Sequence, residues 1–207
     1  FQEGEKNKTR TIKEKLEDAL FEQKCGRDAV VIALGGGVVG DMAGFVASTY
    51  MRGIPVVQIP TTTISIADSS YGGKTGLDVP AGKNLIGAFH QPIAVFMDTE
   101  LLKTLDKRNY DSGLIEIIKH GIIKNKKFYE FLKENLETIL SREEEKYDKI
   151  MAKVVMDNIT IKREVVVEDQ KESNLRKILN YGHTIGHAVE KLSNFDLLHG
   201  EAIAIGI

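Results

Sequence analysis

Two patterns of apolar residues divide the chain. Up to about residue 100, short β-branched runs alternate with glycine-rich turns; beyond it, apolar residues recur at helical spacing with charges between them and no proline. Residues 29–34 (AVVIAL) predict a buried strand running into Gly35, Gly36 and Gly37, and residues 38–50 predict a helix with small residues on its apolar face. Residues 54–59 and 93–97 predict two more strands bounded by turn chemistry, and residues 11–23 an amphipathic helix ahead of the first strand. In the second half, residues 109–124, 127–140, 143–168 and 183–192 each predict a helix. The expectation is an α/β part followed by a helical part.

Composition narrows the class. The chain carries 28 Lys+Arg against 30 Asp+Glu, a formal charge of −2, so charge gives no reason to expect a nucleic-acid or membrane partner. With 42% hydrophobic residues, 28% charged and only 4 prolines, it can bury a core. Its one cysteine, Cys25, excludes an internal disulfide framework and fits a reducing, cytoplasmic setting, where it reads as a small apolar side chain. The most apolar stretch, residues 29–57, is interrupted by glycines, Asp41 and Arg52, so no membrane span is expected. The stretch 142–146 (REEEK) reads as a solvated helix start. Residue 1 is Phe, and residues 201–207 stop inside an apolar helical pattern, so the chain is expected to be a piece of a longer protein.

Several residues point to chemistry. The run from Gly35 to Gly40 (GGGVVG) fits G-x-G-x-x-G between a predicted strand and a predicted helix, where backbone N–H groups can meet a pyrophosphate. No acid follows about 20 residues on, as an ordinary dinucleotide fingerprint requires, so a tight packing turn stays open as the alternative. Residues 71–75 (YGGKT) resemble a phosphate loop, but Asp68 stands where its first glycine belongs. Lys74, Lys83 and Asn84 therefore read as two cations and an amide on flexible glycine loops, facing a ligand or only solvent. Among five histidines, His183 and His187 lie four apart on one predicted helical face, with His199 sixteen residues after His183. Thr184 stands where a zincin has its catalytic Glu. Glu116, on an apolar helical stretch, needs a partner if buried, and two histidines with one glutamate would make an open metal site. Surface histidines and a solvated glutamate are the other reading.

Taken together, GGGVVGDMAGF, TYMRG, PTTTISIADSSYGGKTGLDVPAGKNLIGAFHQP, GLIEIIKHGII, LRKILNYGHTIGHAVE and HGEAIAIGI resemble the 3-dehydroquinate synthase family of sugar-phosphate cyclases, in order and over essentially the whole chain. The resemblance implies a fold class of α/β plus all-α. A Rossmann-like NAD-binding domain would span residues 1–99 and a helical metal- and substrate-binding domain residues 100–207, with the active site between them. Relatives are longer, so a first α/β unit and the last helices would be missing.

Carried over by position, the resemblance makes Glu116, His183 and His199 ligands of zinc or cobalt. For NAD it implies Glu5 and Lys8 at the adenine-side ribose, accounting for the missing downstream acid, with Gly36, Gly37, Asp41, Thr61, Thr62, Lys74, Lys83 and Thr104. For a phosphorylated sugar acid it implies Arg52, Asp68, Lys74, Asn84, Lys119, Lys162, Arg176, Asn180 and His187, the last as a polar or acid–base group. The counterpart of Arg52 can reach across a dimer interface, so a homodimer is implied. His90 and His120 match no such role and read as structural. The implied reaction is transient oxidation by NAD, phosphate elimination, reduction and aldol closure to a carbocycle, with positioning sufficient for the last step. Another sugar-phosphate cyclase, lacking the substrate carboxylate, or a metal-dependent alcohol dehydrogenase of similar fold are the alternatives.

Overall fold

The computed structural model describes residues 1–2, 4–143, 145–170, 172–193 and 196–207. Contacts divide them into two compact units, Phe1–Thr61 with Ser69–Asp98, and Thr62–Asp68 with Thr99–Ile207.

In the first unit, Thr9 accepts the N–H of Ile12 and starts α1 (Arg10–Glu22). A β–α–β crossover follows: β1 (Val31–Gly35), α2 (Gly37–Thr49) and β2 (Val56–Pro60). The next strands are β3 (Lys74–Val79), β4 (Gly82–Phe89) and the short β5 (Ala94–Val95). β1, β2 and β5 form a parallel sheet in that order, with Leu34 opposite Ile59 and Val57 opposite Ala94. Ala33, Val56, Ala47, Tyr50 and Ile54 make the core between sheet and α2. The expected flexible loops around Lys74 and Asn84 are instead the ends of an antiparallel hairpin, β3 with β4, bulged between Leu77 and Val79. The physical reason is burial: Leu77, Val79, Ile86 and Ala88 pack with Met42 and Phe45 of α2 and with Ile12 and Leu16 of α1.

The second unit is helical. A 3-10 turn (Thr99–Thr104) leads to α3 (Lys107–Lys124), capped by Asp106, whose carboxylate accepts the N–H of Asn109 at 3.0 Å. Next come α4 (Lys126–Glu134) and α5 (Leu136–Ser141). The single helix expected over 127–140 is broken at Asn135, whose side-chain amide donates to the carbonyl of Phe131 at 2.8 Å and competes with helical bonding. α6 runs Tyr147–Glu168, starting later than the expected residue 143; residue 144, within both that span and the 142–146 stretch, lies outside the described residues. A 3-10 turn (Leu175–Asn180) precedes α7 (His183–Leu192) and α8 (His199–Gly206). Buried Tyr110, Tyr147 and Met151 join α3 to α6, and the Tyr110 hydroxyl donates to the Ile139 carbonyl at 2.8 Å.

α3 and α8 approach closely because Gly200 has no side chain. A Cβ there would lie 1.8 Å from the Ser112 carbonyl oxygen, and the Gly200 N–H donates to the Ser112 hydroxyl at 3.0 Å. This contact brings residue 199 to the α3 face that carries residue 116. Among the described residues no helix is long and apolar enough to cross a membrane.

Candidate metal, substrate and cofactor residues

The imidazole Nε2 atoms of His183 and His199 lie 3.8 and 3.6 Å from Glu116 Oε1. The Glu116 side chain is 1% exposed, and Oε1 has no hydrogen-bond partner among the described residues. An orphaned carboxylate oxygen facing two imidazole nitrogens fits a divalent cation. Tetrahedral zinc, at roughly 2.0–2.2 Å from each donor, sets donors about 3.4 Å apart, close to both separations. Burial pushes the Glu116 carboxyl up, but His199 and the Lys119 ammonium outweigh it and hold it at about 2. Glu116 is therefore ionised and offers an anionic donor beside the two histidines.

The supporting contacts fix which imidazole nitrogen is presented. His183 Nδ1 lies 3.1 Å from the Tyr181 carbonyl, which can only accept, so its Nε2 carries the free lone pair. Around His199 Nδ1 stands the carboxylate of Glu190, buried, at 3.6 Å. Burial alone would lower His199; Glu116 and Glu190 together raise it to about 9. Sequence reasoning missed Glu190; its only signal is its place one turn after His187 on the same helix. His187 Nδ1 or Nε2 also lies within 4.8 Å of donor atoms of His183 and His199, but His187 is exposed. It fits a group turned toward a ligand.

A second set of donors, on Asp68, Glu116 and His120, also lies within 4.8 Å. Here two ammonium groups already stand against the carboxylates. Lys119 donates to Glu116 Oε2, and Lys162 meets Asp68 Oδ1 at 2.7 Å and its backbone carbonyl. Burial raises the Asp68 carboxyl, yet Lys162 and Lys119 hold it well below the carboxylate range. This arrangement is a buried ion-pair network, poorly suited to a further divalent ion. His120 is more than a filler: Asn158 gives its amide N–H to the Ala67 carbonyl at 2.7 Å, so its oxygen accepts from His120 Nδ1 at 2.7 Å. His120 Nε2 is then a buried acceptor with no partner among the described residues.

Arg176 is 2% exposed; its guanidinium donates to the Gln170 carbonyl at 2.7 Å, and its charge bears on Lys162. Burial lowers the pKa of Arg176, while Glu172, Asp68 and Asp169 oppose the shift. Asn180 is exposed and donates to Glu172 at 2.8 Å. It borders an open cleft of about 900 Å³ also lined by Ile178, Tyr181 and Thr184.

In the first unit, Lys8 is 3% exposed, and its ammonium donates to Asp41 at 2.6 Å and to the Asn84 side-chain oxygen at 2.5 Å, with Glu5 at 3.6 Å. Burial lowers the pKa of Lys8, but Asp41 and Glu5 reverse the shift and raise it. Asn84, assigned by position to the substrate, thus stands beside three residues assigned to NAD. Gly36 caps α2 without any side-chain hydrogen bond, leaving its first N–H groups without a capping side chain. Such a helix start fits a pyrophosphate-bearing dinucleotide. The Thr61 N–H donates to the Gly35 carbonyl at 2.9 Å, at the end of β2 beside this turn.

The remaining expected residues belong to both units. Arg52 is exposed with a left-handed backbone (φ 70°). Lys74 is exposed at the start of β3, and Lys83 is half-buried in β4. The Thr62 hydroxyl accepts from Ser65 N, and the Thr104 hydroxyl donates to Leu101 O. His90 meets the Ile54 carbonyl at 3.0 Å.

Comparison with known proteins identifies the family and the fold. Residues 1–112 match the family 3-dehydroquinate synthase N-terminal, and residues 113–207 match 3-dehydroquinate synthase C-terminal. The chain is 52% identical over 205 residues to the 3-dehydroquinate synthase of Thermoanaerobacter pseudethanolicus, covering 99% of this chain and 56% of that protein. It therefore spans little more than half of that relative's length. Among solved structures, 2-epi-5-epi-valiolone synthase from Streptomyces hygroscopicus subsp. jinggangensis, with NAD+ and Zn2+ bound, superposes with a TM-score of 0.92 at 31% identity, covering 100% of this chain and 57% of that one. A 2-deoxy-scyllo-inosose synthase complexed with carbaglucose-6-phosphate, NAD+ and Co2+ gives 0.87 at 32% identity, covering 100% and 56%. The fold is that of the sugar-phosphate cyclases, and the chain belongs to the 3-dehydroquinate synthase family.

Proposed function

We propose that the protein to which this chain belongs is a 3-dehydroquinate synthase, converting 3-deoxy-D-arabino-heptulosonate 7-phosphate to 3-dehydroquinate and phosphate. The observation that carries this reading is the meeting of Glu116 Oε1 with the Nε2 atoms of His183 and His199. Glu116, His183 and His199 would hold zinc or cobalt, and Lys8, Asp41 and the glycine turn at Gly36–Gly37 would hold NAD. When bound, these groups supply a Lewis acid for adjacent hydroxyls and a reversible hydride acceptor.

The chain's own residues then bind and orient. Lys119 and Lys162 bring positive charge to a substrate bearing both phosphate and carboxylate, Lys119 held by Glu116 and Lys162 by Asp68. Arg176 suits the planar carboxylate, since its fork donates two parallel hydrogen bonds. Asn180 adds an amide at the cleft, and exposed His187 passes a proton to or from substrate in this reading. Residues 1–99 form the NAD-binding domain in this reading and residues 100–207 the metal and substrate domain. The working form is a cytoplasmic homodimer to which Arg52 contributes.

The test gives the intact parent protein the heptulosonate phosphate, zinc and substoichiometric NAD. Many phosphates released per NAD, with dehydroquinate identified by mass, are expected, because the hydride returns to the product. Absence of phosphate release would overturn the reading, and turnover of a neutral sugar phosphate instead would reassign the chain within the cyclases.

A further inference from the structure

The turn that delivers Arg176 is built on one carboxylate that neither the sequence motifs nor the proposed reaction uses. Asp169 ends α6 and is 8% exposed. Its Oδ1 accepts from the Ser173 N–H at 2.9 Å and the Ser173 hydroxyl at 3.0 Å; its Oδ2 accepts from the N–H groups of Asn174 at 2.7 Å and Arg176 at 3.1 Å. These donors open the 3-10 turn that carries Arg176 at its start and Asn180 at its end. A carboxylate at the start of a helical turn satisfies N–H groups that have no helical acceptor and complements their partial positive charge.

The side chain of Arg176 is tied to the same turn. Its guanidinium donates to the carbonyl of Gln170, the residue after Asp169. Both ends of Arg176 are thus held within one hydrogen-bonded turn, and Asp169 supplies the anchor for the backbone end. The bonds it accepts also keep its carboxyl well below the ordinary carboxylate range, so it is ionised wherever the enzyme works.

We propose that Asp169 is a positioning residue that sets Arg176 for the carboxylate of the substrate. The proposal rests on the assignment of Arg176 to that carboxylate. Without Asp169, four donor–acceptor contacts are lost, and the guanidinium remains on a turn whose backbone is no longer fixed. Carboxylate recognition by a two-pronged fork depends on orientation, so substrate binding suffers. Chemistry at the metal and at NAD, held by other elements, does not.

The experiment compares Asp169→Ala and Asp169→Asn in the intact parent protein. Asn keeps one acceptor oxygen, so it serves both as the partial rescue and as the variant closest to the native fold. For Asp169→Ala the Michaelis constant for heptulosonate phosphate should rise about tenfold or more, with kcat changed less than about threefold and Asp169→Asn in between. Zinc affinity and the inhibition constant of a carbocyclic sugar phosphate lacking a carboxylate should stay the same. Amide exchange at residues 173, 174 and 176 should quicken. An unchanged Michaelis constant, or equal weakening of substrate and carboxylate-free inhibitor, overturns the proposal, since general damage would affect both. If the wild-type protein releases no phosphate, the catalytic reading falls by itself. Amide exchange then decides, and unchanged rates at 173–176 overturn the role of Asp169.

Discussion

Glu116 shows how far one residue can be read before any fold is known. A carboxylate inside LIEIIK has no reason to be buried without a partner, and the structure buries it beside two histidines. Glu116→Gln should keep the shape but lose the anionic ligand, and zinc affinity measured by chelator competition should fall at least about tenfold. Unchanged affinity would remove Glu116 from the site. His187→Ala should keep the metal and lower turnover, because His187 is exposed where Glu116 is not; loss of metal would place His187 among the ligands. Arg176→Lys should cost roughly 1.5–3 kcal/mol of substrate binding, read from the Michaelis constant, because Lys replaces a planar fork with a point charge. Glu190, Asn158 and Asp169 were not legible in the same way. Each acts through a contact made by the fold, with Glu190 meeting His199 and Asp169 the turn before α7, and a charged residue at a helix end reads as solvated until the neighbouring element is known.

At the scale of elements, regular patterns were legible and interrupted ones were not. The crossover β1–α2–β2 and helices α1, α3, α6 and α7 follow uninterrupted apolar periods. The β3–β4 hairpin escaped because its pattern is broken by glycines that the pairing itself demands. A Cβ on Gly87 would sit 1.9 Å from the Thr75 carbonyl oxygen, so the strands can approach only where the apolar alternation lapses. The same logic makes Gly200→Ala a severe change: its Cβ would meet backbone at 1.8 Å, and separating α8 from α3 should cost about 3 kcal/mol and carry residue 199 off the metal donors. Thermal unfolding and zinc content should fall together; a tolerated alanine would show that the two helices are not held in register. Asp106 tests α3 from its other end. Hydrogen bonds from the Asn109 backbone and side chain lower its pKa, so its cap is present above the unfolded value near 3.8 and is lost as pH falls. Asp106→Ala should lower stability by about 1 kcal/mol at pH 7, with the gap closing toward pH 2–3 in urea titrations. A gap that persists in acid would mean that the cap does not act through its carboxylate.

At the scale of the whole molecule, the parallel sheet poses the remaining physical question. Parallel sheets are ordinarily covered on both faces, which is why their strands read as continuous apolar runs. Here β2 alternates: Val56, Gln58 and Pro60 are buried, whereas Val57 and Ile59 are half-buried. Their neighbours on β1, Ile32 and Leu34, are 64% and 60% exposed, and Phe96 just beyond β5 is 62% exposed. The run AVVIAL is therefore legible as a strand apolar on both faces, but only one face meets α2 in this chain. A contiguous apolar face of this kind favours dye binding and association in water. The 207-residue chain should bind a fluorescent hydrophobic dye strongly and associate at high concentration. Leu34→Lys should suppress both while changing stability by less than about 0.5 kcal/mol, since the side chain it replaces already faces solvent. A loss of several kcal/mol from Leu34→Lys would instead show that this face is covered in solution, and sedimentation of the wild-type chain would then tell whether a second copy covers it.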